Sequence, residues 1–263
     1  MSTTRKTRAM AWLSALLMLS GFAAAGRRLL ATHQRPAEPV SAVAAPAKPV
    51  ASGDRFKIPV TASQPSKGSA QALVTLIEWS DLRCQGCAGI DPVVDGVLKD
   101  YGDQVRLVWR NYPKTENADS LLAAEFAMEA HTQAGKFWPA RQLLAAHPEA
   151  LNVETLLGFA KQLGLDERAV KQALDQHSHG PHLANDGYFA QAFGVTDLPA
   201  LFVNGVRVPA PLTAERVRAA VDAELPHARQ LVTAGVAAQD VYAELTKHGL
   251  WKVGDAQKLA SGL

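Results

Sequence analysis

Cys84 and Cys87 are the only cysteines in the 263-residue chain, spaced as Cys84-Gln85-Gly86-Cys87. Two thiols at this spacing can close a small disulfide ring and reopen it by thiolate exchange. Whether they do so depends on the elements that hold them. Residues 73–79, within the run Ala72-Leu-Val-Thr-Leu-Ile-Glu-Trp79, are almost continuously apolar and predict a strand covered on both faces. Residues 88–101 predict a helix. The cysteines therefore stand at a strand-to-helix junction. Unpaired backbone N–H groups and the helix dipole favour a thiolate there.

Two other chemistries compete with redox exchange. A zinc site needs four ligands, usually from two cysteine pairs or from cysteine with histidine. No second pair exists, and His177, His179 and His182 lie about ninety residues further on, in a stretch that reads as helix and turn. Histidines so spaced are more often solvated or capping groups, so no metal ligands are assigned. An inert structural bridge is the other rival, but one this short constrains the unfolded chain little. Redox exchange is the favoured reading, and it needs no metal or organic cofactor.

The N-terminus supplies an address. Arg5, Lys6 and Arg8 precede an uncharged run over 9–25 that ends in Ala23-Ala24-Ala25-Gly26. Residues 1–26 thus read as a secretory signal peptide or, being just long enough to span a bilayer, a membrane anchor. Arg27 and Arg28 directly afterwards leave both open. Either way the cysteines leave the reducing cytosol, and a periplasmic location is expected, soluble after cleavage or tethered. Residues 27–55 form an Ala/Pro-rich linker. The net charge is only +2, with no basic block beyond the N-terminus, so nucleic acid is not indicated.

The remaining elements make an α/β domain. Strands are predicted over 56–60, 73–79 and 105–110, the last two joined through the cysteine helix in a right-handed βαβ unit. Helices follow over 119–134, 136–146, 153–163, 166–177 and 185–193, with Asp166 as an N-cap and Gly164 as a stop. The sheet resumes over 200–204 and returns over 206–208 through an Asn204-Gly205 hairpin turn. A helix over 213–225 closes the domain, and 226–263 form a helical C-terminal extension that packs on it or meets a partner.

In this order the segments resemble the DsbA-like exported thiol–disulfide oxidoreductases of the thioredoxin superfamily. They are Val74-Thr-Leu-Ile-Glu-Trp-Ser-Asp-Leu-Arg-Cys-Gln-Gly-Cys87, Tyr101-Gly-Asp-Gln-Val-Arg-Leu-Val-Trp-Arg-Asn-Tyr-Pro113, Ala123-Ala-Glu-Phe-Ala127, Gly135-Lys-Phe-Trp138 and Phe193-Gly-Val-Thr-Asp-Leu-Pro-Ala-Leu-Phe-Val-Asn-Gly205. The similarity runs over 56–225, with a helical insertion over about 117–192. It implies a thioredoxin fold with an inserted helical domain. It implies Cys84 as the exposed attacking thiol, Cys87 as the buried resolving thiol, and a disulfide between them. It also implies that Pro199 is a cis-proline facing that disulfide, and that Glu78 lies beneath Cys87 and moves its proton. Pro92 matches a helix-kinking proline. Gln85, Gly86, Leu198 and Pro199 fall where such proteins meet substrate.

The departures bear on the direction of reaction. Gln85-Gly86 lacks the histidine that stabilises the thiolate in strong oxidants of this kind, so the bridge is expected to be less oxidising. Leu198 and Asp197 replace residues more common in relatives, and the charge of Asp197 would disfavour a nearby thiolate. The expected partners are exported proteins with thiols or disulfides, and a membrane or soluble redox partner. An oxidant is the leading reading. The alternatives are a disulfide reductase, a thioredoxin-fold chaperone or binding module with idle cysteines, and metal handling through the cysteines and the histidine cluster. A monomer is the default, since no separate dimerisation domain is evident.

Overall fold

The structure, a computed structural model, describes residues 54–252. The expected leader over 1–26, the linker up to residue 53 and the end of the C-terminal extension lie outside the described residues. Five strands form one sheet: β1 (Ser66–Lys67), β2 (Val74–Ser80), β3 (Val105–Asn111), β4 (Ala200–Val203) and β5 (Val206–Arg207), in the order β1-β3-β2-β4-β5. β2 and β3 run parallel in register from Val74↔Val105 to Ser80↔Asn111. The other neighbours are antiparallel.

Every residue of β2 is buried, as a strand between two covered faces requires. On one face Leu76, Leu107 and Leu201 pack against α1 (Asp91–Tyr101) and α7 (Ala214–Thr233) through Val94, Val97, Val217 and Val221. On the other, Ile77, Trp79, Val108 and Phe202 meet Phe56, Phe193 and Tyr242. Between β3 and β4 the chain inserts α2 (Ala118–Ala134), α3 (Phe137–Ala146), α4 (Val153–Leu163), α5 (Glu167–Gln176) and α6 (Gly180–Ala192). Phe126, Phe137, Leu144, Leu156 and Phe159 of these helices form an apolar cluster of their own that also takes in Trp109 of β3. The result is an α/β thioredoxin fold with a helical insertion.

Local signals explain most boundaries. Gly164 stops α4 at φ 63°, and Asp166 caps α5 by accepting from the N–H groups of Arg168 and Ala169. Asn204 (φ 44°) and Gly205 (φ 84°) make the turn between β4 and β5. Asn204 is buried, and its Oδ1 accepts from the Thr75 N–H at 2.9 Å, which ties the turn to β2.

Four expectations need correction. The 56–60 segment is not a ladder strand. It makes one isolated bridge, Phe56↔Leu250, next to Arg55↔Val206, and Pro59 has no N–H to extend them. The strand beside β3 is instead the two-residue β1, which sequence patterning is too short to reveal. The closing helix does not end at Leu225: α7 runs through Pro226 to Thr233. Burial of Leu225 and Ala228 offsets the hydrogen bond that Pro226 cannot donate. α6 starts at Gly180 rather than near 185, because Pro181 falls in its first turn, where a missing N–H costs nothing. Pro92 kinks no helix interior. Cys87–Ile90 form a 3-10 turn, and Pro92 opens α1 after it. Beyond α7, Tyr242 of α8 (Val241–Thr246) is buried and donates its hydroxyl to the Ile58 carbonyl at 2.7 Å, so this part of the extension packs on the domain.

Candidate redox site

Cys84 and Cys87 are joined by a disulfide, with S–S 2.10 Å and Cα–Cα 5.3 Å. The two sulfurs sit in different surroundings. Cys84 is partly exposed, whereas Cys87 is 2% exposed and begins the 3-10 turn that leads into α1. Gln85 and Gly86 between them are exposed. A Cβ at Gly86 would meet nothing within 4 Å, so the backbone there is not crowded.

The loop that carries Cys84 is pinned from behind. Asp81 accepts from the Arg83 N–H through Oδ1 at 2.8 Å and from the Lys114 N–H through Oδ2 at 3.0 Å. Its carbonyl accepts from the Cys84 N–H at 3.2 Å. The Arg83 guanidinium donates to the carbonyls of Leu144, His147, Pro148 and Glu149 at 2.8–3.3 Å. One residue before Cys84, the chain is thus tied to the end of α3 and the loop that follows it. Neither Asp81 nor Arg83 had a legible role in the sequence, since Lys114 lies 33 residues from Asp81 and the carbonyls that Arg83 meets lie at least 61 residues away.

The Leu198–Pro199 peptide bond is cis, as the resemblance implied. Ala200 pairs with Trp79, so Pro199 lies at the end of β2 from which the cysteine loop departs. Leu198 is partly buried and packs against the cluster that holds Trp79, Phe193 and Phe202. Asp197 is exposed and accepts from the Thr196 hydroxyl at 3.0 Å. A second cis bond, Ala210–Pro211, lies outside every expected site.

Glu78 occupies the centre of β2, between Trp109 of β3 and Leu201 of β4. It is 1% exposed, so it does not point to solvent at a sheet edge. Alternation puts it with Leu76 on the face covered by α1. Its Oε1 has no hydrogen-bond partner, and neither has the nearby Ser80 hydroxyl. Burial pushes the carboxyl up to about 7; Arg141 opposes this, while Asp91 and Asp95 reinforce it. A carboxyl poised there can hold or release a proton near neutrality.

Arg141 and Asp91 were also missed by sequence reasoning. Arg141 of α3 donates to both carboxylate oxygens of Asp91, at 2.7 Å to Oδ2, and its guanidinium lies 4.7 Å from the centre of the Trp109 ring. The three histidines do not converge. His179 Nε2 lies 2.7 Å from Glu129, His177 Nδ1 3.8 Å from Glu125, and His182 Nε2 3.4 Å from Asp186. Among the described residues, no group of three or more His, Cys, Asp or Glu is arranged to hold a metal ion. No helix among them is long and apolar enough to cross a membrane.

Curated relatives include the Na(+)/H(+) antiporter NhaA 3 of Salinispora tropica, 34% identical over 163 residues, which are 62% of this chain and 25% of that protein. The Na(+)/H(+) antiporter NhaA of Herminiimonas arsenicoxydans is 32% identical over 157 residues, 60% of this chain and 25% of that protein. The chain thus spans about a quarter of the length of these relatives. Among solved structures, oxidised BdbD from Bacillus subtilis superposes with a TM-score of 0.60 at 20% identity, covering 68% of this chain and 100% of that one. A thioredoxin-like oxidoreductase from Silicibacter pomeroyi gives 0.55 at 28% identity, covering 62% and 92%. The thiol–disulfide exchange protein alpha-DsbA2 from Wolbachia pipientis gives 0.55 at 19%, covering 62% and 87%. A family model described as thioredoxin matches residues 61–223, more than half of the sequence. The chain belongs to the thioredoxin family.

Proposed function

We propose that the protein exchanges disulfides with exported proteins through the Cys84–Cys87 pair, acting as an oxidant. The observation that carries this reading is the unequal burial of the two sulfurs at the head of α1, one reachable and one covered. A substrate thiolate attacks Cys84 Sγ and the Cys84–Cys87 bond breaks. Cys87 leaves as a thiolate and takes a proton from neutral Glu78. A second substrate thiolate then attacks the substrate sulfur of the mixed disulfide, and Cys84 leaves as a thiolate. The substrate loses two electrons and forms its disulfide, and the protein ends reduced, with Cys84 a thiolate, Cys87 a thiol and Glu78 a carboxylate that regains its proton from solvent. A separate membrane or soluble redox partner reoxidises it. Pro199 and Leu198, with Gln85 and Gly86, form the surface on which the substrate chain lies during the exchange. The protein works in the periplasm, either free or held by its N-terminal segment.

A second reading, a disulfide reductase, is favoured by one feature: Gln85-Gly86 places no cation between the cysteines to stabilise the Cys84 thiolate. The same groups would then run the steps in reverse.

The test is to mix the oxidised protein with a reduced, unfolded two-cysteine protein and follow substrate thiol loss by acid-quenched alkylation. The expected result is stoichiometric disulfide transfer by the parent and none by Cys84→Ser. Transfer surviving in Cys84→Ser would overturn the mechanism.

A further inference from the structure

Besides the contacts of Arg83, the helical insertion reaches the redox site through an ion pair on α1. Arg141, on α3, forms a two-bond ion pair with Asp91, the first residue of α1 and four residues beyond Cys87. The pair is largely covered, with side-chain exposures of 16% and 30%. The same guanidinium stacks on Trp109, and Trp109 is the β3 partner of Glu78 across the ladder. Parallel partners project from the same face of the sheet, so Glu78 and Trp109 lie side by side on the face that α1 covers, and Arg141 links Trp109 to Asp91 of α1.

We propose that Arg141 is a positioning residue of the exchange reaction, a cation delivered by the insertion that, balanced against Asp91, sets how readily buried Glu78 gives up its proton. This rests on the proton-donor reading of Glu78 given above. The charges that face Glu78 are few. From α1 come Asp91 and Asp95, and from α3 comes Arg141. Asp95 is itself paired with Lys67 of β1 at 3.1 Å. The flanking ladder partners, Trp109 and Leu201, carry no charge. Among the described residues, Arg141 is the cation that acts on the carboxyl, and it opposes the burial and the two aspartates. Oε1 of Glu78 has no hydrogen-bond partner, and after burial itself the charges of Arg141 and Asp91 act on the carboxyl more than neighbouring Ser80 and Asp95 do.

The two members of the pair must act with opposite sign. Removing the Arg141 charge leaves Asp91 uncompensated and makes Glu78 hold its proton to higher pH. Removing the Asp91 charge frees Arg141 and makes Glu78 release its proton at lower pH. A clamp with a purely mechanical role would respond alike to the loss of either end.

The experiment is a pH titration of the oxidised full chain carrying 13C-carboxyl-labelled glutamate, followed by NMR. The Glu78 signal is identified by its loss in Glu78→Gln. Arg141→Gln should raise the midpoint by about one pH unit and Asp91→Asn should lower it by about as much, with Arg141→Lys close to the parent. Shifts in the same direction, or no shift in either variant, would overturn the inference. Should Arg141→Gln not fold, Asp91→Asn decides: a lower midpoint supports the inference, and an unmoved or higher one overturns it. A parallel pH profile of substrate thiol oxidation separates the two readings. A profile unchanged in Glu78→Gln means that Glu78 is not the proton donor. A profile flattened by Glu78→Gln, with the titration unmoved by Arg141→Gln and Asp91→Asn, means that only the present inference fails.

Discussion

Glu78 gives the fold a pH dependence that can be worked out in advance. In the unfolded chain its carboxyl titrates near 4.5, and in the folded protein burial raises it to about 7. Below about pH 4.5 both states are protonated and the residue is neutral in effect. As pH rises through this window the unfolded state releases its proton while the folded state keeps it, so stability falls. Above about pH 7 both have ionised, and the folded protein carries a buried carboxylate without full compensation. The gap of about 2.5 pH units, at 1.36 kcal/mol each, amounts to about 3 kcal/mol of stability lost between acid and alkaline conditions. Glu78→Gln keeps the shape and removes the titration. Urea denaturation of the oxidised parent and variant at about pH 4.5 and about pH 8 measures the difference, and effects common to both cancel. The variant should gain about 3 kcal/mol on the parent between the two conditions. A stability difference that is the same at both pH values would refute the reasoning, because it would mean that Glu78 titrates alike in the folded and unfolded chain.

Two other perturbations probe the scaffold. Arg110 and Asp186 form an ion pair at 2.7 Å with neither side chain exposed, and Asp186 also accepts from the Asn111 N–H. Asp186→Ala should therefore cost about 3–5 kcal/mol in denaturant unfolding by leaving Arg110 buried alone, and Arg110→Met added to Asp186→Leu should recover much of it. Gly205 sits at φ +84° with the Phe56 carbonyl oxygen 2.2 Å from where a Cβ would stand. Gly205→Ala should lower stability by about 2 kcal/mol or more, seen as a fall in the thermal midpoint.

The parts of this protein that were legible in sequence are those with strong local chemistry. A short, almost continuously apolar run marks a strand covered on both sides, and β2 is that strand. Asp166, Gly164 and Asn204-Gly205 mark boundaries because each satisfies a backbone need where it stands. What escaped was long-range. β1 is two residues held by pairing with β3, and α7 continues through Pro226 because tertiary burial outweighs a missing hydrogen bond. At the site, the cysteines and Glu78 stand out as a short motif and a charge in an apolar strand. Asp91 and Arg141 are 50 residues apart, and each alone reads as an ordinary helix-surface charge. Only the packing of α3 over β3 brings Arg141 to Trp109 and Asp91.

The most direct test of the account is the reduction potential of the Cys84–Cys87 pair. The protein is equilibrated with glutathione buffers, quenched, and its free thiols alkylated and counted. An oxidant without a histidine between its cysteines should lie between thioredoxin, at about −270 mV, and DsbA, at about −120 mV. A value at or below that of thioredoxin would contradict the oxidant reading and make the protein a reductase.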